Sequence, residues 1–467
     1  MKHFSFLILG TLLLTNSWAA ERGILKHQRP VPNSYIVILN PVADADLDSA
    51  VHELTRQFHV RLSKRPNDNQ DSILRYAMQG FTGTMSAEDA LALAQDSRVA
   101  AVEQDAFLSI SSETRQLTAG QSNLDRLDQS GAVSTNGDNQ YTYTTTGRGV
   151  YIYIFDSGVE RNHIEFDNDN SESTPNFFPR VLDGVTFASD GQYPAYQPCG
   201  GMQNIDDGQY PVGTHGTAVA SVAAGKTVGV AKNAYVVPVR IFSCSGTSTL
   251  QYWCWGMDWV AGPNNPYPKR PAVLNASVFV DQAILDQKGD PTPLSSFQST
   301  INNVIAAGIT VVASANNQGN SDCATTPAVM GYGNSMNFVS PYHVITVGGT
   351  DERDKLWRCA DWNECFGDTI GSNTGQCVDI YAPAHNLKVA WNRDYSAYRE
   401  DATQKSGTSF AAPLVAGVAA RLLEANPNLS PQQVWQAIQD RALGLESDFD
   451  RDGVPTNNRI VHIEGYE

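Results

Sequence analysis

The sequence lacks several features that would point to common classes of protein. None of its seven cysteines forms a Cys-x-x-Cys pair, so a zinc site built on such pairs is not expected. Beyond residue 20 no segment reaches about 18 consecutive apolar residues, which argues against a membrane-spanning helix. Lysine and arginine number 32 against 49 aspartates and glutamates, and the net charge of −17 argues against nucleic acid or an anionic membrane as a partner. Acidic loops in such a chain are instead candidates for binding calcium.

The start of the chain resembles a secretory signal. Lys2 and His3 precede the apolar run FSFLILGTLLL, and Ser17 and Ala19 supply the small residues that a signal peptidase reads. We therefore expect residues 1–20 to be a signal peptide and the mature protein to be secreted, outside the cell or into a periplasm. The cysteines fit an oxidising compartment, and their odd number leaves at least one thiol unpaired within the chain. They lie at positions 199, 244, 254, 323, 359, 365 and 377.

Residues 33–105 have the pattern of a small α+β unit. Its predicted strands are 34–39, 75–85 and 99–105, with amphipathic helices between them. The order is similar to a ferredoxin-like β-α-β-β-α-β module, and no catalytic cluster lies within it, so we interpret it as a helper unit. Residues 106–120 are polar and are predicted to form a linker. We assign residues 21–115 to this unit with its linker and residues 116–467 to a larger domain.

The larger domain alternates short apolar runs with helical stretches. This pattern predicts an α/β fold, in which a parallel sheet has helices on both faces. In such sheets the reactive side chains collect at the carboxyl ends of the strands. The apolar runs are 150–155, 235–242, 272–280, 309–315 and 344–349.

Three residues of this domain form a candidate catalytic set. Asp156 ends the first apolar run, His215 opens a helix of small residues, and Ser409 lies in KSGTSFAAP where an apolar helix begins. Each has a simpler explanation by itself: an Asx-turn, a buried structural histidine, or a helix cap made by Thr408 or Ser409. Together they favour catalysis, because a serine nucleophile needs a base and the histidine needs a carboxylate to fix its tautomer.

A pair of asparagines is a candidate for a fourth catalytic function. Asn316 and Asn317 directly follow the apolar run 309–315. Acyl transfer needs hydrogen-bond donors at the developing oxyanion, and an asparagine amide beside the backbone N–H of the nucleophile would supply them. The alternative is that the two asparagines simply form a turn.

The three motifs DSGV, HGTAVAS and SGTSFAAP resemble the signatures of the subtilisin-like serine proteases, closest to the proteinase K-like branch. The resemblance covers roughly residues 33–460, since the module at 33–105 is similar to the inhibitory propeptide of that family. It implies that Asp156 orients His215, that His215 is the general base, and that Ser409 is the nucleophile.

The resemblance also implies the remaining functional groups. Asn316 matches the oxyanion asparagine of the family, and the chemistry is expected to need no cofactor. The expected partners are a protein or peptide substrate and the chain's own propeptide as an inhibitor. We expect a monomer that binds neither nucleic acid nor membranes.

The sequence departs from the family pattern in the substrate-binding segments. Ala315 stands where the family usually has glycine, and Ser277-Val278-Phe279-Val280 stands where the family reads Ser-Leu-Gly-Gly. Because glycines leave room for a substrate side chain, Phe279 and Val280 are expected to narrow or reshape the first specificity pocket. The opposite wall is predicted to be Gly246-Thr247-Ser248, which would add a substrate strand through main-chain hydrogen bonds. An acidic insertion near 167–210 also lengthens the interval between Asp156 and His215.

Two segments are candidates for structural calcium. The motif DFDRDG places Asp448, Asp450, Asp452 and Gly453 at the spacing of a calcium loop, but the twelfth position is Arg459 instead of glutamate. A solvated turn is the alternative for that motif. By resemblance, a second site would use the carbonyls of Pro327 and Val329 with the carboxylate of Asp351.

Two other functions are compatible with parts of the sequence. An α/β-hydrolase esterase would use GTSFA as its nucleophile motif, with Asp448 and His462 after Ser409, although the final glycine of that motif is missing. A degenerate protease retained as a binding module is the non-enzymatic alternative, given Ala315 and Phe279. A fluorophosphonate probe discriminates between an intact and an inactive site.

Overall fold

The structure is a computed structural model with two units, each with its own core, and residues of both units share a further apolar cluster. The residues it describes are 23–25, 30–110, 122–138, 140–166, 180–189, 194–196, 215–280, 284–285, 291–292, 295–321, 325–332, 341–362, 370–391, 402–445 and 457–463. The predicted signal peptide, the insertion near 167–210 (apart from 180–189 and 194–196) and the motif at 448–453 lie outside these residues.

The N-terminal unit is an antiparallel sheet covered by two helices. Its strands are β1 (Pro30–Leu39), β2 (Arg61–Leu62), β3 (Ile73–Leu74), β4 (Gly80–Thr84) and β5 (Val99–Ile110), and its helices are α1 (Asp44–Gln57) and α2 (Ala87–Ala94). The central strand β1 pairs with β4 on one side and with β5 on the other. Leu47 and Val51 of α1 are fully buried against the sheet, as the helical periodicity predicts.

The strand predicted at 75–85 is shorter in the structure and begins only at Gly80. Residues 75–77 turn instead toward the larger domain, where their backbone N–H groups donate to a single oxygen of Asp258. Those donors are therefore not available to a sheet ladder, which is the physical reason for the later start.

The larger domain is built on a nearly all-parallel sheet. The strands of the whole domain are β6 (Tyr151–Asp156), β7 (Val185–Thr186), β8 (Tyr235–Arg240), β9 (Ser248–Thr249), β10 (Ala272–Ala276), β11 (Val278–Phe279), β12 (Ile284–Leu285), β13 (Pro291–Thr292), β14 (Thr310–Ser314), β15 (Ile345–Thr350), β16 (Ile380–Pro383), β17 (Leu387–Ala390), β18 (Ala402–Lys405), β19 (Leu443–Gly444) and β20 (Arg459–Ile460), and nine of them form this sheet. The order across the sheet is β7-β8-β6-β10-β14-β15-β16-β20-β19, parallel except for the last pair.

Helices cover both faces of this sheet, so the predicted α/β architecture is confirmed. The helices of this domain are α3 (Ser122–Asp128), α4 (Val133–Asn136), α5 (His215–Ala224), α6 (Leu250–Ala261), α7 (Ser295–Ala306), α8 (Thr408–Ala425) and α9 (Pro431–Arg441). Helices α5, α8 and α9 contribute to one apolar core, and α6 and α7 contribute to the other. Helix α8 is the one helix in the described part of the chain that is long and apolar enough to cross a membrane, and 89% of it lies buried inside the protein.

The linker predicted at 106–120 is wrong for its first five residues. Strand β5 continues through Ile110 and pairs antiparallel with β9 on one side and with β11 on the other. Residues 106–110 read AFLSI and are mostly apolar, with Leu108 buried, so only the polar stretch that follows them resembles a linker. Residues 111–121 lie outside the described residues.

Candidate active site

Asp156 and His215 meet at the carboxyl edge of the parallel sheet. Asp156 is the last residue of β6 and is fully buried, and His215 is the first residue of α5 with 3% of its surface exposed. Atom Nδ1 of His215 lies 2.8 Å from Oδ2 and 2.9 Å from Oδ1 of Asp156. This contact fixes the ring so that Nδ1 carries the proton and Nε2 is the basic atom. Among the described residues, Nε2 of His215 has no hydrogen-bond partner.

A glycine lets helix α5 approach the strand that carries the aspartate. A Cβ atom on Gly216 would lie 2.2 Å from the carbonyl oxygen of Gly158 and 3.1 Å from the Cβ of Asp156. The backbone N–H of Gly216 donates a hydrogen bond to Oγ of Ser157 at 3.0 Å, which also holds the start of α5 close to the end of β6. The glycine after the histidine is therefore required by the close packing of the two elements.

Ser409 lies in the first turn of α8, and it is not the helix cap. The N-cap is Gly407, whose φ of 136° is accessible to glycine and strained for other residues. The explanation that Thr408 or Ser409 caps this helix is therefore wrong. Ser409 is buried, and its carbonyl oxygen accepts a hydrogen bond from Oγ of Ser277 at 2.9 Å. The ring of the next residue, Phe410, lies 5.7 Å from the ring of His215, so the nucleophile turn and the histidine are neighbours.

Asn316 lies just beyond the carboxyl end of β14 in a left-handed backbone conformation, with a φ of 81°. It is buried, and its Oδ1 accepts the N–H of Asn317 at 2.6 Å. With the oxygen held in this way, the NH2 group is the end of the amide that can donate to a developing oxyanion. Asparagine tolerates the left-handed conformation better than most residues, which favours it at this position.

The two predicted substrate-binding segments flank strand β5 of the N-terminal unit. Ser248 pairs with Leu108, and on the other side Val278 pairs with Ile110 and Phe279 with Ser109. The predicted wall Gly246-Thr247-Ser248 therefore lies opposite Ser277-Val278-Phe279. A peptide strand of this chain fills the place between them, in the pairing expected for a substrate.

Phe279 lies on the opposite face of its strand from the apolar core. Val278 and Val280 pack in the core beneath α6 and α7, while Phe279 does not belong to that cluster. Side chains alternate along a strand, so Phe279 faces away from that core. Only 8% of its surface is exposed with β5 in place.

The residues proposed for a second calcium site do not fit a calcium ion as they are folded. Oδ2 of Asp351 pairs with the guanidinium of Arg353, with Nε at 2.8 Å, and Oδ1 accepts two backbone N–H groups. The carbonyl of Pro327 accepts the N–H of Met330 at 2.9 Å. Calcium needs oxygen atoms with free lone pairs, and here a cation of the chain already neutralises the carboxylate. No group of three or more His, Cys, Asp or Glu suited to a metal occurs in the described ranges. The motif at 448–453 lies outside them and stays a prediction.

Three buried carboxylates hold the two units together, and the sequence interpretation above missed them. Asp105 accepts the N–H of Gln251 in the first turn of α6, and Glu103 accepts the N–H of Ser296 in the first turn of α7. The N-termini of helices favour negative charge. In the reverse direction Asp258 of α6 accepts the three N–H groups of residues 75–77. Glu103 and Asp105 are two residues apart on one strand, so their side chains point to the same face. Two carboxylates on one face of a strand are the pattern by which the sequence could have indicated this contact.

Burial raises the pKa of two of these carboxyls and of a neighbouring thiol. Loss of water around Asp105 raises the pKa of its carboxyl to about 6, against the opposing effect of the hydrogen bonds from Gln251 and Ser34. Burial likewise raises the pKa of Asp258 above its usual range. Burial also raises the pKa of the Cys254 thiol, which lies in α6 near these carboxylates.

Cys254 is a free, buried cysteine. Cys244, Cys359 and Cys377 are disulfide-bonded, and the other three cysteines lie outside the described residues.

Comparison with known families agrees with this arrangement. The sequence profile of the Subtilase family matches residues 147–466. The profile of peptidase inhibitor I9 matches residues 34–111, which is the N-terminal unit including the strand between the two predicted substrate-binding segments.

Two curated relatives cover most of the chain. This chain is 31% identical over 456 residues to the extracellular serine proteinase of Thermus sp. (strain Rt41A). The matched region covers 93% of this chain and 92% of that protein. The chain is 30% identical over 417 residues to alkaline serine exoprotease A of Vibrio alginolyticus, covering 88% of this chain and 64% of that protein. These relatives favour neither the esterase nor the binding module.

Solved structures give the same fold. A cold adapted subtilisin-like serine proteinase matches with a TM-score of 0.53 and 29% identity, covering 74% of this chain and 99% of the other. Fervidolysin from Fervidobacterium pennivorans matches with a TM-score of 0.60 over 96% of this chain and 62% of its own, and at 17% identity it supports the fold alone. This chain belongs to the subtilase family and is a subtilisin-like serine endopeptidase with an I9-type inhibitor domain on its N-terminal side.

Proposed function

We propose that Asp156, His215 and Ser409 carry out peptide hydrolysis, with Asn316 as a donor to the oxyanion. The observation that supports this most is the contact of 2.8 Å between His215 Nδ1 and Asp156 Oδ2, beside the turn that carries Ser409. It prepares Nε2 of the histidine to accept a proton. The chemistry of this family needs no cofactor.

The reaction follows from these positions. Ser409 Oγ attacks the carbonyl carbon of the scissile bond while Nε2 of His215 takes the hydroxyl proton. Asp156 stabilises the imidazolium that forms, and the Asn316 amide and the Ser409 N–H donate to the oxyanion. Collapse of this intermediate expels the amine, which receives the proton from Nε2. Water then enters, is deprotonated by His215 in the same way, and releases the acid from Ser409.

The experiment that tests the assignment is labelling with a fluorophosphonate probe. The probe phosphonylates only an activated serine, so we expect one label on the mature protein, mapped to Ser409 by mass spectrometry. A protein that binds peptide substrates without labelling would instead support the degenerate binding module.

The N-terminal unit is proposed to be an inhibitor that the enzyme releases by cleaving its own chain. We assign residues 1–20 to a signal peptide and the inhibitor to the following residues up to the processed bond. Val278 pairs with Ile110 at the end of β5, and the neighbouring Ser277 donates its hydroxyl to the carbonyl of Ser409. The end of β5 therefore lies beside the turn that carries the nucleophile, which supports a first cleavage within the linker predicted at 106–120. The inhibitor and its linker are assigned to residues 21–115.

The mature enzyme is proposed to be secreted and monomeric, and to bind neither nucleic acid nor membranes. Its net charge of −17 supports the absence of nucleic acid and of anionic membranes as partners. The relative from Thermus is an extracellular proteinase, which supports secretion.

We expect Phe279→Gly to widen the first specificity pocket. Wild-type enzyme should prefer small residues before the scissile bond. A change of one methylene group in a pocket is worth about 10–200-fold, so removal of a phenyl ring should raise kcat/KM for a Phe peptide relative to an Ala peptide at least about tenfold. The measurement is that ratio in both proteins. An unchanged ratio would mean that Phe279 does not line the pocket.

The association of inhibitor and enzyme is expected to weaken as the pH rises through about 6. In the complex burial raises the pKa of Asp105 to about 6 and raises that of Asp258, whereas separation exposes both carboxyls and returns their pKa to the ordinary range. The complex therefore binds protons more tightly than its parts, and it gains stability as the pH falls from above 6 toward about 4.

Native mass spectrometry of the processed wild-type protein measures the fraction of the enzyme that still carries its inhibitor, and this readout does not depend on peptide hydrolysis. We expect more complex at pH 5 than at pH 8, with Asp105→Asn flattening the profile because it removes the proton that binds. A complex that instead dissociates on acidification would contradict the prediction, as would an unchanged profile in Asp105→Asn.

A further inference from the structure

Asn317 connects the asparagine that faces the oxyanion to the turn that carries the nucleophile. Its Oδ1 accepts two hydrogen bonds from Thr408, one from the backbone N–H at 2.9 Å and one from Oγ1 at 2.8 Å. Both residues are buried, with Asn317 9% exposed and Thr408 not exposed at all. A backbone N–H can only donate, so the atom that faces it must be the amide oxygen. Among the described residues the amide nitrogen of Asn317 has no hydrogen-bond partner, and the oxygen therefore makes the connection.

The two segments that this oxygen joins have unusual backbone conformations. Asn316 has a φ of 81°, and Gly407, directly before Thr408, has a φ of 136°. Each segment is also fixed from other sides. The N–H of Asn373 donates to the carbonyl of Asn316 at 2.9 Å, and the N–H of Asn317 donates to the side chain of Asn316 at 2.6 Å. Nevertheless, the amide of Asn317 is a direct side-chain bridge from the Asn316 segment to the nucleophile turn.

An oxyanion site depends on the spacing of its donors. The proposed donors are the NH2 group of Asn316 and the backbone N–H of Ser409, which belong to different elements of the fold. Donors must lie about 2.7–3.1 Å from the position that the oxyanion will occupy, and small displacements of one donor lose much of its effect. The bridge from residue 317 to residue 408 connects the immediate neighbours of these two donors.

We infer that Asn317 is a positioning residue for the oxyanion site. By accepting both donors of Thr408, it holds the turn that carries Ser409 at a fixed distance from the Asn316 amide. This inference rests on the proposed roles of Ser409 and Asn316. The simpler role is that of an external cap, since Thr408 is the first residue of α8 and its N–H has no acceptor within the helix. A cap would stabilise the protein without acting through Asn316.

The test is a double-mutant cycle on the mature enzyme, with kcat, KM and Tm measured for each protein. Asn317→Leu removes the acceptor at similar size, and we expect kcat to fall about 10–100-fold with KM changed less than about threefold. In the Asn316→Ala background the same substitution should cost less than about threefold, because no second donor is left to position. The matched control is Gln318→Ala, an exposed neighbour in the same loop, which should leave kcat unchanged.

The opposite outcomes would overturn the inference. An equal loss of kcat in both backgrounds, together with a lower Tm, would identify Asn317 as a cap only. If Asn317→Leu does not fold, Thr408→Val enters the same cycle, since it removes only the hydroxyl donor and keeps the backbone bond. Its loss should be smaller than about tenfold and again disappear in the Asn316→Ala background. Failure of the proposed function is distinguishable beforehand, because wild-type enzyme would then show no hydrolysis that depends on Ser409.

Discussion

Ser409→Ala should abolish peptide hydrolysis while leaving the fold intact. Removal of the nucleophile alone costs about 10⁶ in kcat in subtilisin itself, because the base and the carboxylate have nothing to activate without it. The fold should survive because Gly407 and not Ser409 is the N-cap of α8, and because the contact with Ser277 uses the main-chain carbonyl of Ser409. The measurement is kcat with a peptide substrate, with Tm as the check on folding. Residual activity near that of the wild type would overturn the assignment of Ser409.

The same variant should remain unprocessed. Wild-type protein is expected to have a new N-terminus within residues 106–120, and Ser409→Ala should keep the inhibitor unit attached at its full mass. Ser406→Ala is the matched control, since it changes a nearby serine outside the proposed site and should process like the wild type. Equal processing of wild type and Ser409→Ala by mass spectrometry would indicate an outside protease instead.

The architecture was predictable because its signals are local and repeated. Continuous apolar runs such as 309–315 cannot face water on either side, and this property predicts a buried parallel strand without any knowledge of its neighbours. The strand at 310–314 and the helix that begins at His215 follow from such patterns. The predictions of the α/β fold and of the inhibitor-like unit, both confirmed, required no knowledge of how the loops are folded.

The end of the inhibitor unit was not predictable in the same way. Residues 106–110 (AFLSI) are mostly apolar, but they run directly into the polar stretch SSETRQLTAG, whose composition made the whole of 106–120 resemble a linker. The sequence does not indicate that 106–110 pair with β9 and β11, because those strands lie far along the chain. The late start of β4 has a similar origin, because Asp258 takes the N–H groups of residues 75–77.

In the candidate site, too, the residues within short motifs were predictable and the contacts between distant residues were not. Asp156, His215 and Ser409 lie in short motifs that are specific enough to be recognised one at a time. By contrast, the bond from Asn317 to Thr408 joins residues that are distant in sequence, and nothing in either motif indicates it. The pairing of Asp351 with Arg353 is local, at two residues' separation, but a carboxylate near an arginine is so common in sequences that this spacing alone does not indicate the ion pair.

Asp156→Asn tests how the histidine is prepared for its role. Oδ1 of Asp156 accepts the N–H of Ser157 at 2.7 Å, so an asparagine at this position would keep its oxygen there and turn its NH2 group toward His215. Nδ1 of His215 would then have to accept a hydrogen bond, and the ring proton would move to Nε2. A protonated Nε2 cannot take the proton from Ser409. The same substitution in a serine protease of another fold costs about 10⁴ in kcat through this wrong tautomer.

We therefore expect Asp156→Asn to lower kcat by about 10⁴ with a small change in KM, because the strands proposed to bind the substrate are β9 and β11, and the aspartate belongs to neither. Labelling of Ser409 by the fluorophosphonate should slow in parallel, since it depends on the same proton transfer. Asp183→Asn is the matched control, an exposed aspartate paired with Arg161 that should leave both rates unchanged. An Asp156→Asn enzyme within about tenfold of the wild type would mean that another group sets the tautomer of His215, since a loss that small is far below the tautomer effect.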